Sequence, residues 1–412
     1  MNGRSSLLLA CLLAAGVGLA SCGQGGNATP PAGSQKPLLT TIDGSGLALL
    51  TTAVIPGLTV GGPFTYDIGA VDTTANHYYL SDRTNKALDI MNLQSYVFTQ
   101  AKVGYAGQAA SNANSGPNGD TPLPNTDTVY TGDVNSVKIV NAANATLVKN
   151  IVTGNQGLRT DEGCYDPDDG LMMFVNGENS PPYASWISTS SQTVVATYTF
   201  NGPQFGGTAG EVGLDACVYD HNTLNFYVNN DGTTANPDGE LDVIPAASVV
   251  AGAPVVSAQY EEGTGTGVSA TNDCNPSGIA LNPNNNALVI ACDTNAGNPQ
   301  MTLIMSATTG AVLAEVTGVG GSDEAAYDPK LGRFYVAARD MTANGVSQTG
   351  NATTTFTPVL GIIDATSFAF IANVPTGKGS HSVAVDPLNG YVYVPVPPTT
   401  SSAGGIDVFV PN

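Results

Sequence analysis

Apolar and polar residues alternate along this chain with a period of two, in short runs broken by Asp, Asn, Pro and Gly. That is the signature of half-buried β-strands joined by tight turns. One phrase recurs: small or apolar residues, an Asp or Asn, often Pro, a short turn, then an aromatic-rich strand. It reads IGAVDTTANHYYLSD from Ile68, GCYDPDDGLMMFVN from Gly163, ACVYDHNTLNFYVNN from Ala216, GIALNPNNNALVIAC from Gly278, AAYDPKLGRFYVAA from Ala325 and SVAVDPLNGYVYVPV from Ser382. A weaker copy, SGPNGDTPLPNTDTVYTGD, starts at Ser115. Asp72, Asp166, Asp220, Asn282, Asp328 and Asp386 anchor the turns, because their side chains can accept hydrogen bonds from the backbone two residues on. Tyr79, Tyr227, Val289, Tyr335 and Tyr393 fall at one common offset past their anchors and so at one place in a hairpin.

A third alternating strand follows each hairpin, and in most copies a fourth. No segment shows a helical period. Four strands per repeat of about fifty residues, in seven copies, predict an all-β fold, a seven-bladed β-propeller of four-stranded antiparallel blades. The last copy lacks its own fourth strand. The segment Leu47 to Ile55, LALLTTAVI, supplies one if it pairs with the strand from Ile406, which closes the ring and leaves no open edge. Two β-sandwiches are the competing architecture, but they require no repeat in register. SVAVDPLNGYVYV, AAYDPKLGRFYVAA and YYLSDRTNKALDIMN resemble the YVTN-repeat β-propellers of bacterial surface and periplasmic proteins, although the literal string is absent. The resemblance covers about residues 45 to 412; it implies the fold and is uninformative about activity.

The amino terminus follows different rules. Arg4 precedes an apolar run from Leu7 to Leu19 that is too short for an ordinary membrane span. The run ends in Leu19-Ala20-Ser21-Cys22, which resembles the lipobox of bacterial lipoproteins. That resemblance implies a signal peptide over 1–21, cleavage before Cys22, and lipidation of Cys22 as the membrane anchor. Gly23 rather than Asp follows, which in that family favours the outer membrane of the cell envelope. Residues 22–40 read as a flexible tether and 41–412 as the propeller. Apart from Cys11 and Cys22, four cysteines remain, an even number that suits disulfides in an oxidising compartment. Cys274 and Cys292 flank one hairpin and are the first choice of pair. Cys164 and Cys217 lie on adjacent innermost strands, where either a bridge or two buried thiols is open.

Composition narrows the partners. The 412 residues carry 12 Lys+Arg against 33 Asp+Glu, a formal charge of -21. A phosphate backbone needs clustered cations, so nucleic acid is excluded as a partner. Only 11% of residues are charged, yet hydrophobic content is 42%, which is a folded chain and not an acidic tail. A monomer is expected.

Five residues before each anchor stand Asp67, Asn118, Asp161, Asp215, Ser277, Asp323 and His381, with Glu162 and Glu324 one position later. In a propeller these positions converge at one end of the central channel, as a ring of mostly acidic and polar groups. Converging carboxylates repel, and a cation relieves the repulsion. Calcium, which takes six to eight oxygens, suits such a ring, and His381 would admit another divalent metal. Arg159 and Lys378 lie close in sequence and could neutralise the charge instead, and a plain solvated acidic mouth is the simplest outcome. The acidic stretch Asn229 to Glu240 carries Asp231, Asp238 and Glu240 but lacks the ordered spacing of an EF-hand. No G-x-S-x-G, Walker, C-x-x-C or H-E-x-x-H string is present. The expected function is therefore a lipid-anchored binding or interaction module for a protein, a glycan or a small molecule. The alternative is a metal-dependent lactonase or esterase, by analogy with gluconolactonase-like propellers, with Glu162, Asn118, Asp215 and Asp323 as candidate metal residues.

Overall fold

The structure is a computed structural model that describes residues 40–42, 44–205, 213–233, 235–236, 238–262, 274–294, 296–350 and 354–412. The expected signal peptide, Cys22 and the expected tether up to residue 39 lie outside the described residues. Seven antiparallel sheets form the blades of a β-propeller. Their innermost strands are Tyr66–Asp72, Asp120–Leu123, Gly163–Asp166, Leu214–Asp220, Pro276–Asn282, Glu324–Asp328 and Ala384–Asp386, in blades 1 to 7. Neighbouring inner strands contact each other in this order, and the seventh returns to the first.

Blade 7 is built from both ends of the described chain. Leu47–Ala53 pairs with Gly405–Pro411 as the expected fourth strand, and Thr40–Ile42 adds a fifth on its outer edge. Blade 4 departs from expectation in two ways. After its third strand, Glu240–Pro245, comes one helical turn, Ala246–Val250, too short to show a period in sequence. Its fourth strand, Ala258–Glu261, follows that turn and was not marked by alternation.

The turn anchors behave as their chemistry requires. Asp72 Oδ1 accepts from the backbone N–H of Thr74 and Ala75, Asp166 Oδ1 from Asp168 and Asp169, and Asp328 Oδ1 from Lys330 and Leu331. The tyrosines seven residues on are fully buried. Blades pack on each other through such side chains: Trp186 of blade 3 meets the edge of Phe226 in blade 4, with ring centroids 6.0 Å apart. Tyr78 stacks on Tyr393 at 5.4 Å across the seam where the ring closes. Burying each large side chain is worth about 1.5–3 kcal/mol, so the seams between blades carry the core.

A polar row crosses the blades at paired positions of the third and fourth strands, joined in blades 2 and 4 by the residue that ends the second strand. Gln100 donates to Asp89 at 2.8 Å in blade 1, and Lys138 pairs with Asp133 at 2.9 Å while donating to Asn150 at 3.0 Å in blade 2. Asn230 donates to Asp242 at 3.3 Å in blade 4, and Thr52 to Asp407 at 2.5 Å in blade 7. These residues occupy equivalent cross-strand positions and hydrogen-bond one another in the interior, although Asp89 Oδ2 and Asp242 Oδ1 find no partner.

Both candidate disulfides are formed. Cys274 and Cys292 bridge a hairpin with Cα atoms 4.6 Å apart, and Cys164 and Cys217 link blades 3 and 4 at 5.7 Å. The second bridge fits because inner strands of adjacent blades crowd together near the axis. Two disulfides suit an extracytoplasmic compartment. Among the described residues no helix is long and apolar enough to cross a membrane.

Candidate functional site

The positions five before each anchor coincide with a repeated β-bulge. In blade 1, Tyr66 pairs with Asp82 and Gly69 with Leu80, so Asp67 and Ile68 face Ser81 alone; Asp215 and Ser277 lie at the same irregularity in blades 4 and 5. In blade 3, Asp161 donates its N–H to the carbonyl of Val175, and Val175 donates back to Glu162. A bulge puts two residues opposite one and re-aims their side chains, which is how a strand interior delivers side chains to the channel.

Asp67, Asp161, Glu162, Asp215, Asp323 and His381 line a single cavity of about 420 Å³ at the channel mouth. Three ring residues do not reach it, so the ring is narrower than sequence suggested. Asn118 is fully buried; it accepts from Arg83 at 2.6 Å and donates to the carbonyl of Thr160 in the next blade at 2.8 Å. Ser277 donates to the carbonyl of Ser322 at 2.9 Å, another stitch between blades. Glu324 does not line the cavity; its Oε1 accepts from the N–H of Ala325 at 2.9 Å.

The mouth is also not mainly acidic. Arg83, Arg159, Arg339 and Lys378 share the cavity wall. Arg83 pairs with Asp67 at 2.8 Å, and its other nitrogens donate to Asn112 at 2.6 Å and to the carbonyl of Pro117 at 3.1 Å. Arg159 pairs with Asp161 at 2.8 Å and with Glu178 at 3.3 Å. Arg339 pairs with Asp323 and reaches Asp340 at 3.4 Å. Three of the five carboxylates on the wall thus have a guanidinium partner. Among the described residues no group of three His, Cys, Asp or Glu side chains is set to hold a metal ion.

Two of these cations share one repeat offset. Arg83 and Arg339 stand eleven residues past Asp72 and Asp328, where the second strand reaches the mouth. Asp231 and Asp293 hold the same position in blades 4 and 5. Arg159 lies outside either register, two residues before Asp161.

Burial sets the protonation of the remaining acids. It raises Asp161 to about 7 even beside Arg159, and Asp293 to about 7. Burial and then the negative charge of Asp231 push Asp215 well above the carboxylate range. Glu162 and Glu324, from blades 3 and 6, each feel the burial and negative charge of their surroundings. Burial raises Glu324 to about 8, and burial with the charge of Glu324 pushes Glu162 up strongly. Glycine at 119 leaves Glu162 room, since a methyl there would stand 2.9 Å from Cγ of Glu162.

His381 completes the wall. Its ring stacks on Tyr66 at 4.4 Å between centroids, and Nδ1 lies 2.7 Å from the carbonyl of Gly379. A carbonyl only accepts, so Nδ1 carries the proton and a neutral ring keeps a lone pair on Nε2. Burial lowers the pKa of this histidine, which favours that neutral form.

No protein-family model matches this chain. No curated protein matches it in sequence. Solved structures match its shape. A chain of hydrazine synthase from Kuenenia stuttgartiensis superposes with a TM-score of 0.61 at 15% identity, over 86% of this chain and 98% of that one. A chain of the mitotic checkpoint complex does so with a TM-score of 0.58 at 11% identity, over 87% and 93%. At these identities the likeness concerns the propeller fold alone.

Proposed function

We propose that this chain is an extracytoplasmic propeller, anchored through lipidated Cys22 in the bacterial envelope, that binds a glycan or another small polyhydroxylated molecule in the channel mouth. The lipobox-like LASC, the absence of Asp after Cys22 and the YVTN-like repeats support the placement. The observation that carries the binding reading is the pairing of guanidinium and carboxylate around one cavity. A hydroxyl both donates and accepts; carboxylates only accept and guanidiniums only donate, so a wall containing both satisfies a hydroxyl in each direction. The ion pairs also leave little net charge to select a simple cation or anion. The cavity volume falls within the range of small-ligand sites.

Calorimetric titration of the purified chain with a panel of mono- and oligosaccharides tests this reading, with alkylamines, carboxylic acids and calcium chloride as comparisons. Binding of at least one saccharide is expected, weakened tenfold to a hundredfold by Arg339→Gln, at about 1.5–3 kcal/mol per charge-assisted hydrogen bond. Saccharides that fail throughout, while an amine or calcium binds and depends on Asp323, would replace this reading with a cation site. The hydrolase reading has less support: Asn118, one of its four candidate metal residues, is turned to Arg83 and Thr160 behind the cavity wall.

A further inference from the structure

Four of the chain's 12 lysines and arginines line the channel-mouth cavity, although the formal charge of the whole is -21. Three of them, Arg83, Arg159 and Arg339, are committed to Asp67, Asp161 and Asp323. Lys378 is different. Among the described residues it forms no ion pair within 4.0 Å. The two wall carboxyls that lack a guanidinium, Glu162 and Asp215, are pushed well above the carboxylate range chiefly by burial, so at neutral pH they hold protons and donate to an anion instead of repelling it. The pairs cancel, and the Lys378 ammonium is the charge left over.

This ammonium sits on a braced loop. Gly379, at φ 75°, makes the tight turn between Lys378 and His381. Ser380 Oγ accepts from the N–H of Gly377 at 3.2 Å and donates to the carbonyl of Pro395 at 2.8 Å. The Tyr66 hydroxyl reaches the carbonyls of Gly379 and Pro395, each at 3.2 Å, and His381 donates to the same Gly379 carbonyl. The loop that carries the cation therefore also carries one end of an aromatic row. Phe64 leans on Tyr66 with centroids 4.6 Å apart, Tyr66 stacks on His381, and all three rings line the cavity. Phe64 and His381 are only half-buried. An aromatic face is electron-rich and attracts the weakly polarised C–H bonds of a pyranose ring.

We propose that the channel mouth recognises a hexuronic acid, with its carboxylate on Lys378, its ring against Phe64 and its hydroxyls on the guanidinium–carboxylate pairs. This names the ligand class of the sugar-binding reading above and rests on it. A single ammonium matches a single carboxylate. A phosphate or sulfate ester would call for uncommitted guanidiniums, which grip such groups through paired N–H donors, and the three here are already taken. A neutral sugar would leave the ammonium without a partner.

The test is calorimetric titration of the full chain with glucuronate and galacturonate, each beside its uncharged uronamide of the same shape, with neutral hexoses and acetate as references. At least one uronate should bind about tenfold tighter than its amide, as one charge-assisted hydrogen bond supplies, and acetate should not bind measurably. Lys378→Met should bring that uronate down to the affinity of its amide. Lys330→Met removes the same charge from a hairpin turn of blade 6 outside the cavity and should not. Phe64→Leu should weaken uronate and amide alike, by about threefold to tenfold, because stacking ignores the charge. The inference falls, and the sugar reading stands, if a uronate and its amide bind equally, if neutral hexoses bind and uronates do not, if Lys378→Met keeps the preference, or if Phe64→Leu leaves both affinities unchanged. If no sugar of any kind binds, or acetate binds as tightly as the uronate, the sugar reading falls with it.

Discussion

Replacing Arg83 by methionine removes one guanidinium from a place where four partners depend on it. Arg83 is 5% exposed and Asp67 is 7% exposed, so water in the cavity they border replaces the lost charge only in part. The variant leaves the Asp67 carboxylate, the Asn112 and Asn118 side-chain oxygens and the Pro117 carbonyl short of a donor. Breaking a buried pair on one side costs about 3–5 kcal/mol, against about 0–1 for an exposed pair. For a folded unit of about 370 residues, the unfolding entropy near the midpoint is about 0.8 kcal/mol/K, so the loss corresponds to about 4–6 °C in Tm. Thermal melts followed by circular dichroism at pH 7 read this directly. Adding Asp67→Asn to Arg83→Met should recover about 1–3 kcal/mol, because the stranded charge is then gone. A loss under about 1 kcal/mol for Arg83→Met, or a double variant whose losses simply add, would refute the claim that buried ion pairs brace the mouth.

Two further outcomes follow from the same structure. Glu324, Asp161 and Asp293, raised to about 8, 7 and 7 chiefly by burial, hold protons in the fold that the unfolded chain has already released above about pH 4.5. The native state then binds more protons than the unfolded one, so stability should fall as pH rises from about 4.5 to 8, by about 1.4 kcal/mol per pH unit for each extra proton; denaturant titrations across that window should show a shallower fall for Glu324→Gln, and a rise with pH would overturn the assignment. Removing the Cys164–Cys217 bridge, which spans 53 residues, should cost about 4 kcal/mol, and the Cys274–Cys292 bridge, which spans 18, about 3; melts of the paired alanine variants should keep that order, and the reverse order would show that loop closure does not govern either bridge.

The fold was legible because the same Asp or Asn turn recurs at the head of a hairpin, and turn chemistry is local. Equal offsets then placed Asp67, Asp161, Asp215, Asp323 and His381 together without any knowledge of distance. Their companions Arg83 and Arg339 also share one offset, just past the second strand, but a cation there carries no turn chemistry to mark it. Direction was the harder quantity. At a bulge, neighbouring residues point different ways, so Asn118 and Ser277 share the ring's register yet turn into the seam between blades. Glu324 shares its register with Glu162 but does not line the cavity, and only packing decides that. The fourth strand of blade 4 escaped because Ala258–Glu261 is short and follows a helical turn.

The pairing of Thr52 with Asp407 joins residues 355 positions apart. The early segment Leu47–Ala53 must therefore wait for Gly405–Pro411, whereas the six blades between them are each built from residues close in sequence. Each of those blades can zip up from nearby residues as it appears, but the ring stays an open crescent until Gly405–Pro411 arrives. Loss of Gly405–Pro411 would leave a crescent whose first blade has no complete seventh to lean on.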